Sequence, residues 1–228
     1  SNNSYLNIPA LISAAELTNA DAIHPGYGFL SESSKFSRIC NEHNIIFIGP
    51  PPEIIESMGN KSEAKDTMKN VGVPIIGGSE GIINSVDEAK ELAEIVGFPI
   101  MLKASAGGGG KGMRLVENPE DLEDAYLSAK AEAKVSFNND DLYLEKFIKN
   151  PRHIEIQIIA DSIGRVVALG ERECSIQRRH QKLIEESPSI AVSRSLRKKM
   201  SDAAIKGAKA VNYIGAGTIE FLLDADQN

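Results

Sequence analysis

The chain has 228 residues, 42% hydrophobic and 25% charged, the mixture of an ordinary globular protein and not of a disordered or fibrous one. Its net charge of −7 argues against a nucleic-acid partner, and its longest apolar runs, such as 45–48, are far too short to span a bilayer. Two cysteines, Cys40 and Cys174, are too few for a disulfide framework; they read as reduced core residues, as expected in a cytosol, a stroma or a matrix.

The N-terminus has no basic start and no apolar core, so it does not read as a secretory signal; a removed transit peptide stays open. Pro9 suits a helix start, with Leu11, Ile12, Ala15 and Leu17 as its apolar stripe. Residues 20–23 read as a buried strand, ending in the turn-rich loop 24–28. A helix over 32–43 and a strand over 45–48 complete a βαβ pattern, the mark of a parallel-sheet domain. Asn60 and Glu63 predict a capped helix that Gly72 and Pro74 end; Ser85 and Glu88 predict a second, closed by Gly97 and Pro99. Strands follow over 99–104 and 113–116, then a helix from Asn118-Pro119 to about Val135 and a strand over 141–145. Together they suggest a compact middle domain of about 70 residues. The last third is strand-rich: 153–160, 165–174 and 182–187, then an amphipathic helix over 193–211 and a strand over 218–223. A chain that stops just after a core strand reads as a fragment. The fold class expected is α/β and α+β.

The chemistry starts at the run 103–112, where Lys103 and Lys111 flank four glycines. Glycine lets backbone N–H groups approach an anion, so the run reads equally as a phosphate clamp or as a flexible hairpin. It is not a Walker A loop, because no Gly-Lys-Ser/Thr occurs and no helix follows. Lys61 stands in the first turn of its helix, where the dipole disfavours a cation unless an anion binds there. A surface lysine is the plainer reading. Glu145 to Ile148 reads as a hinge facing a ligand or as an ordinary loop. His153, Glu155 and Gln157 share one face of an alternating strand, which suggests a solvated cleft or solvent. Glu220 sits mid-strand in an apolar run, an expensive place for a carboxylate unless it is paired or holds a hard cation. Arg172, Arg178, Arg179, His180 and Lys182 make a dense basic cluster without interleaved aromatics. That favours a small anion over a nucleic acid.

In this order, the stretches 24–32 (HPGYGFLSE), 58–61, 103–114, 145–147, 150–157, 171–182 (ERECSIQRRHQK) and 215–221 resemble the biotin carboxylase family. The 24–32 and 177–182 runs are the specific ones, and the resemblance covers essentially the whole chain. It implies an ATP-grasp fold: the end of a Rossmann-like N-terminal domain over 1–48, a connecting helical segment over 49–75, a small α+β lid over 76–147, and the start of a mostly antiparallel central domain over 148–228. It implies that Lys61 and Lys103 contact ATP phosphates and that Gly109 and Gly110 supply loop amides. Glu145, Lys146, Phe147 and Ile148 would hold the adenine, and His153, Gln177 and His180 would border the nucleotide. Lys182 would bind bicarbonate, Glu220 would bind Mg²⁺ (or Mn²⁺), and Tyr27 would lie near the biotin pocket. The implied reaction is carboxylation of biotin through carboxyphosphate, the first half-reaction of acetyl-CoA carboxylase. The implied partners are a biotin carboxyl carrier protein, a carboxyltransferase and a second copy of the full-length protein, in the cytosol or the plastid stroma.

The family pattern has a first strand and helix before Ser1. Beyond Asn228 it has a second metal-binding Glu, an Asn, a Glu base and two Arg. The expectation is therefore that this polypeptide alone does not carboxylate biotin. Ala106 stands where some members have Gly. Two other readings compete. One is another ATP-grasp ligase of the carbamoyl-phosphate or purine type, against which the 177–182 run and the Tyr27 loop speak. The other is a non-catalytic nucleotide-binding module.

Overall fold

The computed structural model describes residues 4–59, 61–105, 112–178 and 181–228, with the side chains of Lys61 and Ser62 outside it. The chain forms two compact units: 1–74 with 152–223, and 75–151 joined by a few residues of the C-terminal end.

The first unit opens with α1 (Ile8–Leu17), capped by the Asn7 side chain on the Ala10 N–H at 3.1 Å. Strands β1 (Ala22–Ile23) and β2 (Ile46–Phe47) pair in parallel around α2 (Ser34–Glu42), as the βαβ pattern predicts. Ser33 caps α2, so the helix starts two residues later than the expected 32, and a short 3-10 turn over Phe29–Glu32 precedes it. Ile12, Ala15, Phe36, Cys40, Ile45 and Phe47 form the core here. The connecting segment carries the helical stretches α3 (Pro52–Gly59) and α4 (Lys61–Asn70), and the expected cap Asn60 lies outside the described residues.

The second unit is a three-stranded antiparallel sheet, β4 (Met113–Val116), β3 (Ile100–Ala104) and β5 (Leu142–Lys146) in that spatial order. Helices α5 (Val86–Val96) and α6 (Leu122–Phe137) pack on it. Ser85 caps α5 as expected, but Glu88 reaches past Ser85 and accepts from the Asn84 N–H at 2.8 Å. Asn138, left-handed at φ 54°, ends α6 two residues beyond the expected stop. Ile100, Leu102, Val116, Leu142 and Leu144 are sealed with Ala89, Ala93, Ala129 and Ala133. Each large aliphatic side chain buried this way contributes roughly 2 kcal/mol.

The C-terminal part of the first unit is a four-stranded antiparallel sheet in the order β8 (Gln181–Glu186), β7 (Val166–Arg178), β6 (Arg152–Ala160), β9 (Gly215–Leu223). Helix α7 (Arg194–Ala210), capped by Ser193, lies on one face and buries Ile154, Ile156 and Ile158. Gly207 allows this helix to approach α4, since a Cβ there would meet the Met68 sulfur at 2.7 Å. Strands β7 and β9 are longer than periodicity predicts, because their outer residues gain ladder partners that a single strand does not reveal.

Candidate active site

The face of the four-stranded sheet opposite α7 carries the candidate site. Alternation along β6 buries the isoleucines under α7 and turns Glu155 and Gln157 the other way. The register then sets Glu155 opposite Arg172 on β7 and opposite Glu220 on β9, while Lys182 of β8 stands opposite Gln177. His153, Ile154, Glu155, Cys174, Gln177, Lys182 and Glu220 line one pocket on this face.

Glu155 is its hub, with a side chain only 5% exposed. Its Oε1 accepts from Arg172, at 2.6 Å from Nε and 2.5 Å from Nη2, and its other oxygen accepts from the Lys182 ammonium. Burial alone would raise the Glu155 pKa; hydrogen bonds from Lys182 and Arg172 outweigh that and hold it below the ordinary value. Lys182 also donates to Glu220 Oε1 at 2.6 Å. Burial opposes the charge on Lys182, but its two carboxylate partners prevail and hold its pKa well above the usual lysine range. Such an ammonium stays charged throughout the physiological range. Its charge suits it to hold an anion and not to act as a base. Burial, then the charge of Glu155, pushes the Cys174 thiol up to about 11, so it is not a thiolate nucleophile.

Glu220 differs from the buried carboxylate that its apolar neighbours suggest. Its side chain points away from α7 and is 65% exposed, with Lys182 as its ion-pair partner. An exposed carboxylate fits one coordination position of a hard cation that takes its other ligands from water and phosphates. Glu155, Cys174 and Glu185 also bring ligand atoms within 4.8 Å of one another. That trio does not suit a cation, because Glu155 already serves two positive side chains and the thiol stays protonated.

His153 and Gln177 stand in this pocket with Lys182, as their shared polar character suggests. Gln177 donates to the Cys174 carbonyl at 2.8 Å, and the His153 N–H is bound to Ser175 Oγ at 3.1 Å. Reading single residues missed Glu155 and Arg172 as the centre of the site. The signal was present as a carboxylate on the polar face of β6 and an arginine in the basic cluster, but only the register joins them.

In the 75–151 unit, Lys103 and Glu145 project from the sheet face opposite the core, flanking Met101 and Tyr143. The Lys103 ammonium meets Glu145 Oε2 at 2.5 Å and lies 6.0 Å from the Tyr143 ring centroid. Lys146 turns elsewhere: its ammonium donates to the carbonyls of Gly97 and Phe98, both at 2.9 Å. It thereby satisfies the C-terminal end of α5, where the helix dipole favours a cation. The Phe147 N–H donates to the Pro99 carbonyl at 3.0 Å, and Ile148 follows at the end of β5, half-buried. Tyr27 is 89% exposed on the loop between β1 and the 3-10 turn, where Gly26 and Gly28 both take positive φ. The side chain of Lys61, and Gly109, Gly110 and His180, lie outside the described residues, as do Lys111 and Arg179.

Comparison with known proteins identifies the family. The family described as biotin carboxylase, N-terminal domain, matches residues 1–55, and that described as carbamoyl-phosphate synthase L chain, ATP binding domain, matches 60–228. A biotin carboxylase of Nostoc sp. is 59% identical over 221 residues, covering 97% of this chain and 49% of that protein. The chain belongs to the biotin carboxylase family. The crystal structure of a Campylobacter jejuni biotin carboxylase–β,γ-ATP complex shares 56% identity and a TM-score of 0.83, covering 100% of this chain and 51% of that one. The bicarbonate-bound biotin carboxylase domain of a thermophilic 2-oxoglutarate carboxylase is 45% identical with a TM-score of 0.92, covering 99% and 49%. The fold is thus the ATP-grasp fold of biotin carboxylases, and the chain spans about half the length of the relatives it matches. The carbamoyl-phosphate description covers the part that the two kinds of ligase share, while the N-terminal match and these relatives favour biotin carboxylase.

Proposed function

We propose that this chain supplies the nucleotide- and bicarbonate-binding part of an ATP-dependent ligase that carboxylates biotin on a carrier protein. The observation that carries the reading is Lys182, an ammonium held between Glu155 and Glu220 in a pocket that also takes in His153 and Gln177. Lysine has three N–H donors, and two are directed at carboxylates. Among the described residues the third has no partner, which suits an anion the size of bicarbonate. A bicarbonate oxygen attacks the γ-phosphorus of ATP, the bond to the β-bridging oxygen breaks, and carboxyphosphate and ADP result. Carboxyphosphate then delivers CO₂ to the N1′ nitrogen of biotin, which loses its proton, and phosphate departs.

Lys61, Lys103 and the amides of Gly109 and Gly110 would face the phosphates. Glu145, Lys146, Phe147 and Ile148 would face the adenine, with His153, Gln177 and His180 bordering the nucleotide. Positioned cations act in phosphoryl transfer by orienting the groups and by neutralising developing charge. Glu220 would hold Mg²⁺ or Mn²⁺, which when bound neutralises charge on the transferring phosphate. In this reading residues 76–147 are the lid that keeps water from carboxyphosphate. Tyr27, on its exposed loop, would border biotin. The wider assembly would include a carrier protein, a carboxyltransferase and a second protomer, in the cytosol or plastid stroma. A fatty-acid role through acetyl-CoA is one choice of final acceptor; the 2-oxoglutarate enzyme among the relatives illustrates another.

MgATP titration by calorimetry, with bicarbonate binding followed by ¹³C NMR on the same sample, tests the reading. Lys182→Ala should keep nucleotide affinity and lose bicarbonate affinity. Bicarbonate binding by that variant at the unmodified affinity would sink the assignment.

A further inference from the structure

We propose that Arg172 is a positioning residue for the anion site: it fixes the Glu155 carboxylate so that Lys182 is presented to bicarbonate. This rests on the function proposed above. It begins with a fault in the sheet. Val166 and Ala168 of β7 pack into the layer beneath α7. The ladder then pairs Ala168 with Ile158 but Glu171 with Ile156, so β7 carries one extra residue there. Gly170 sits in this bulge at φ +108°, a conformation that a side chain disfavours. One extra residue exchanges the two faces of all that follows. After it, Glu171 and Glu173 turn to the α7 side, where Arg197 and Ser189 meet them, and Arg172 turns to the pocket. In an unbulged strand Arg172 would enter the apolar layer.

Once in the pocket, the guanidinium divides its donors. Nε and Nη2 both reach Glu155 Oε1, at 2.6 and 2.5 Å, and Nη1 donates to Gln157 Oε1 at 3.0 Å. Gln157 in turn donates to the Gly217 carbonyl on β9 at 2.8 Å. Arg172 thereby occupies one oxygen of Glu155, leaves the other for Lys182, and ties β7 to β6 and β9. Glu185 lies 3.6 Å from Arg172 Nε at the outer edge. A planar fork makes these contacts together; a lysine ammonium at the same position has no such geometry. Without the fork the carboxylate is free to turn, and Lys182 turns with it.

The test compares Arg172→Lys, Arg172→Met and Lys182→Met with the unmodified chain. Bicarbonate binding is followed by ¹³C NMR, MgATP binding by calorimetry, and folding by thermal melting. Arg172→Lys keeps a cation beside the buried carboxylate and decides the matter if Arg172→Met does not fold. The expected result is bicarbonate affinity lowered about tenfold in Arg172→Lys, the scale of one charge-assisted hydrogen bond, with MgATP affinity within about twofold. Equal loss of both affinities, or unchanged bicarbonate affinity where Lys182→Met loses it, overturns the role of Arg172 and leaves the bicarbonate site standing. No bicarbonate binding by the unmodified chain removes the site itself, and the role of Arg172 with it.

Discussion

The two units treat charge in opposite ways. In the 152–223 sheet, Glu155, Glu171 and Glu173 are buried and each is satisfied more than once. Glu155 takes Arg172 and Lys182; Glu171 takes both arms of Arg197 and the Ser189 N–H; Glu173 takes Arg152, Ser175 and Ser189. In the 75–151 unit the interior is apolar, and pairs such as Lys90–Glu123 and Lys149–Glu117 stand in water. Lys103–Glu145 lies between these extremes, with side chains 29% and 20% exposed. The difference teaches where stability ends and binding begins. One unit is held by packing, so its polar face can serve a ligand. The other builds its polar face into its own scaffold, so the group that would hold an anion is braced by the groups that hold the sheet.

The sharpest break of this contrast is a cavity. Leu102 is fully buried in β3, so Leu102→Ala should cost the 75–151 unit about 3 kcal/mol and leave the 152–223 sheet alone. Hydrogen exchange read amide by amide reports each unit separately. Loss of protection in β6 and β7 as well would contradict independent cores.

Next is Glu171, whose side chain is 1% exposed against Arg197. Glu171→Ala removes a bidentate partner and leaves the buried Ser189 N–H without its acceptor, a loss of about 2 kcal/mol. The hydrogen bond from Arg197 chiefly holds the Glu171 pKa below the ordinary 4.5, against burial. A depressed folded-state pKa gives stability that is complete above the unfolded value. It is lost as pH falls from about 4.5 through the folded value. Glu171→Gln should flatten that part of the acid-denaturation curve. An unchanged curve would mean that other carboxylates set it.

Much of this was legible in the sequence, and the failures share one cause. Local signals located many of the elements: Ser85 caps α5 as read, and β6 alternates as read. The contents of the site were also readable, since polar residues on an apolar strand need a reason. What was not readable was the pairing. Glu155, Arg172, Lys182 and Glu220 lie on four strands, and their meeting depends on register and on a bulge at Gly170. Lys146 makes another pairing of this kind: its side chain closes α5, a contact almost fifty residues away in sequence.

A smaller effect sharpens the middle case. Lys103→Ala should lower MgATP affinity about tenfold, one phosphate contact, while stability changes by no more than about 1 kcal/mol. Calorimetry and melting on the same sample separate the two. A larger loss of stability than of affinity would make the Lys103–Glu145 pair a brace like Glu171–Arg197, and the contrast between the units would fail at the residue nearest its boundary.

The smallest expected effect is the most exacting check. Lys90 of α5 donates to Glu123 of α6 at 2.8 Å, and this bond chiefly raises its pKa. Both side chains are about half exposed, so water competes for each donor and salt screens the charge. The helices are already joined beneath the pair by Ala89, Ala93, Ala129 and Ala133. Lys90→Ala should therefore leave the melting temperature unchanged at low and at high salt. A clear drop at low salt that vanishes at high salt would show surface charge holding α5 to α6, and packing alone would no longer explain this unit.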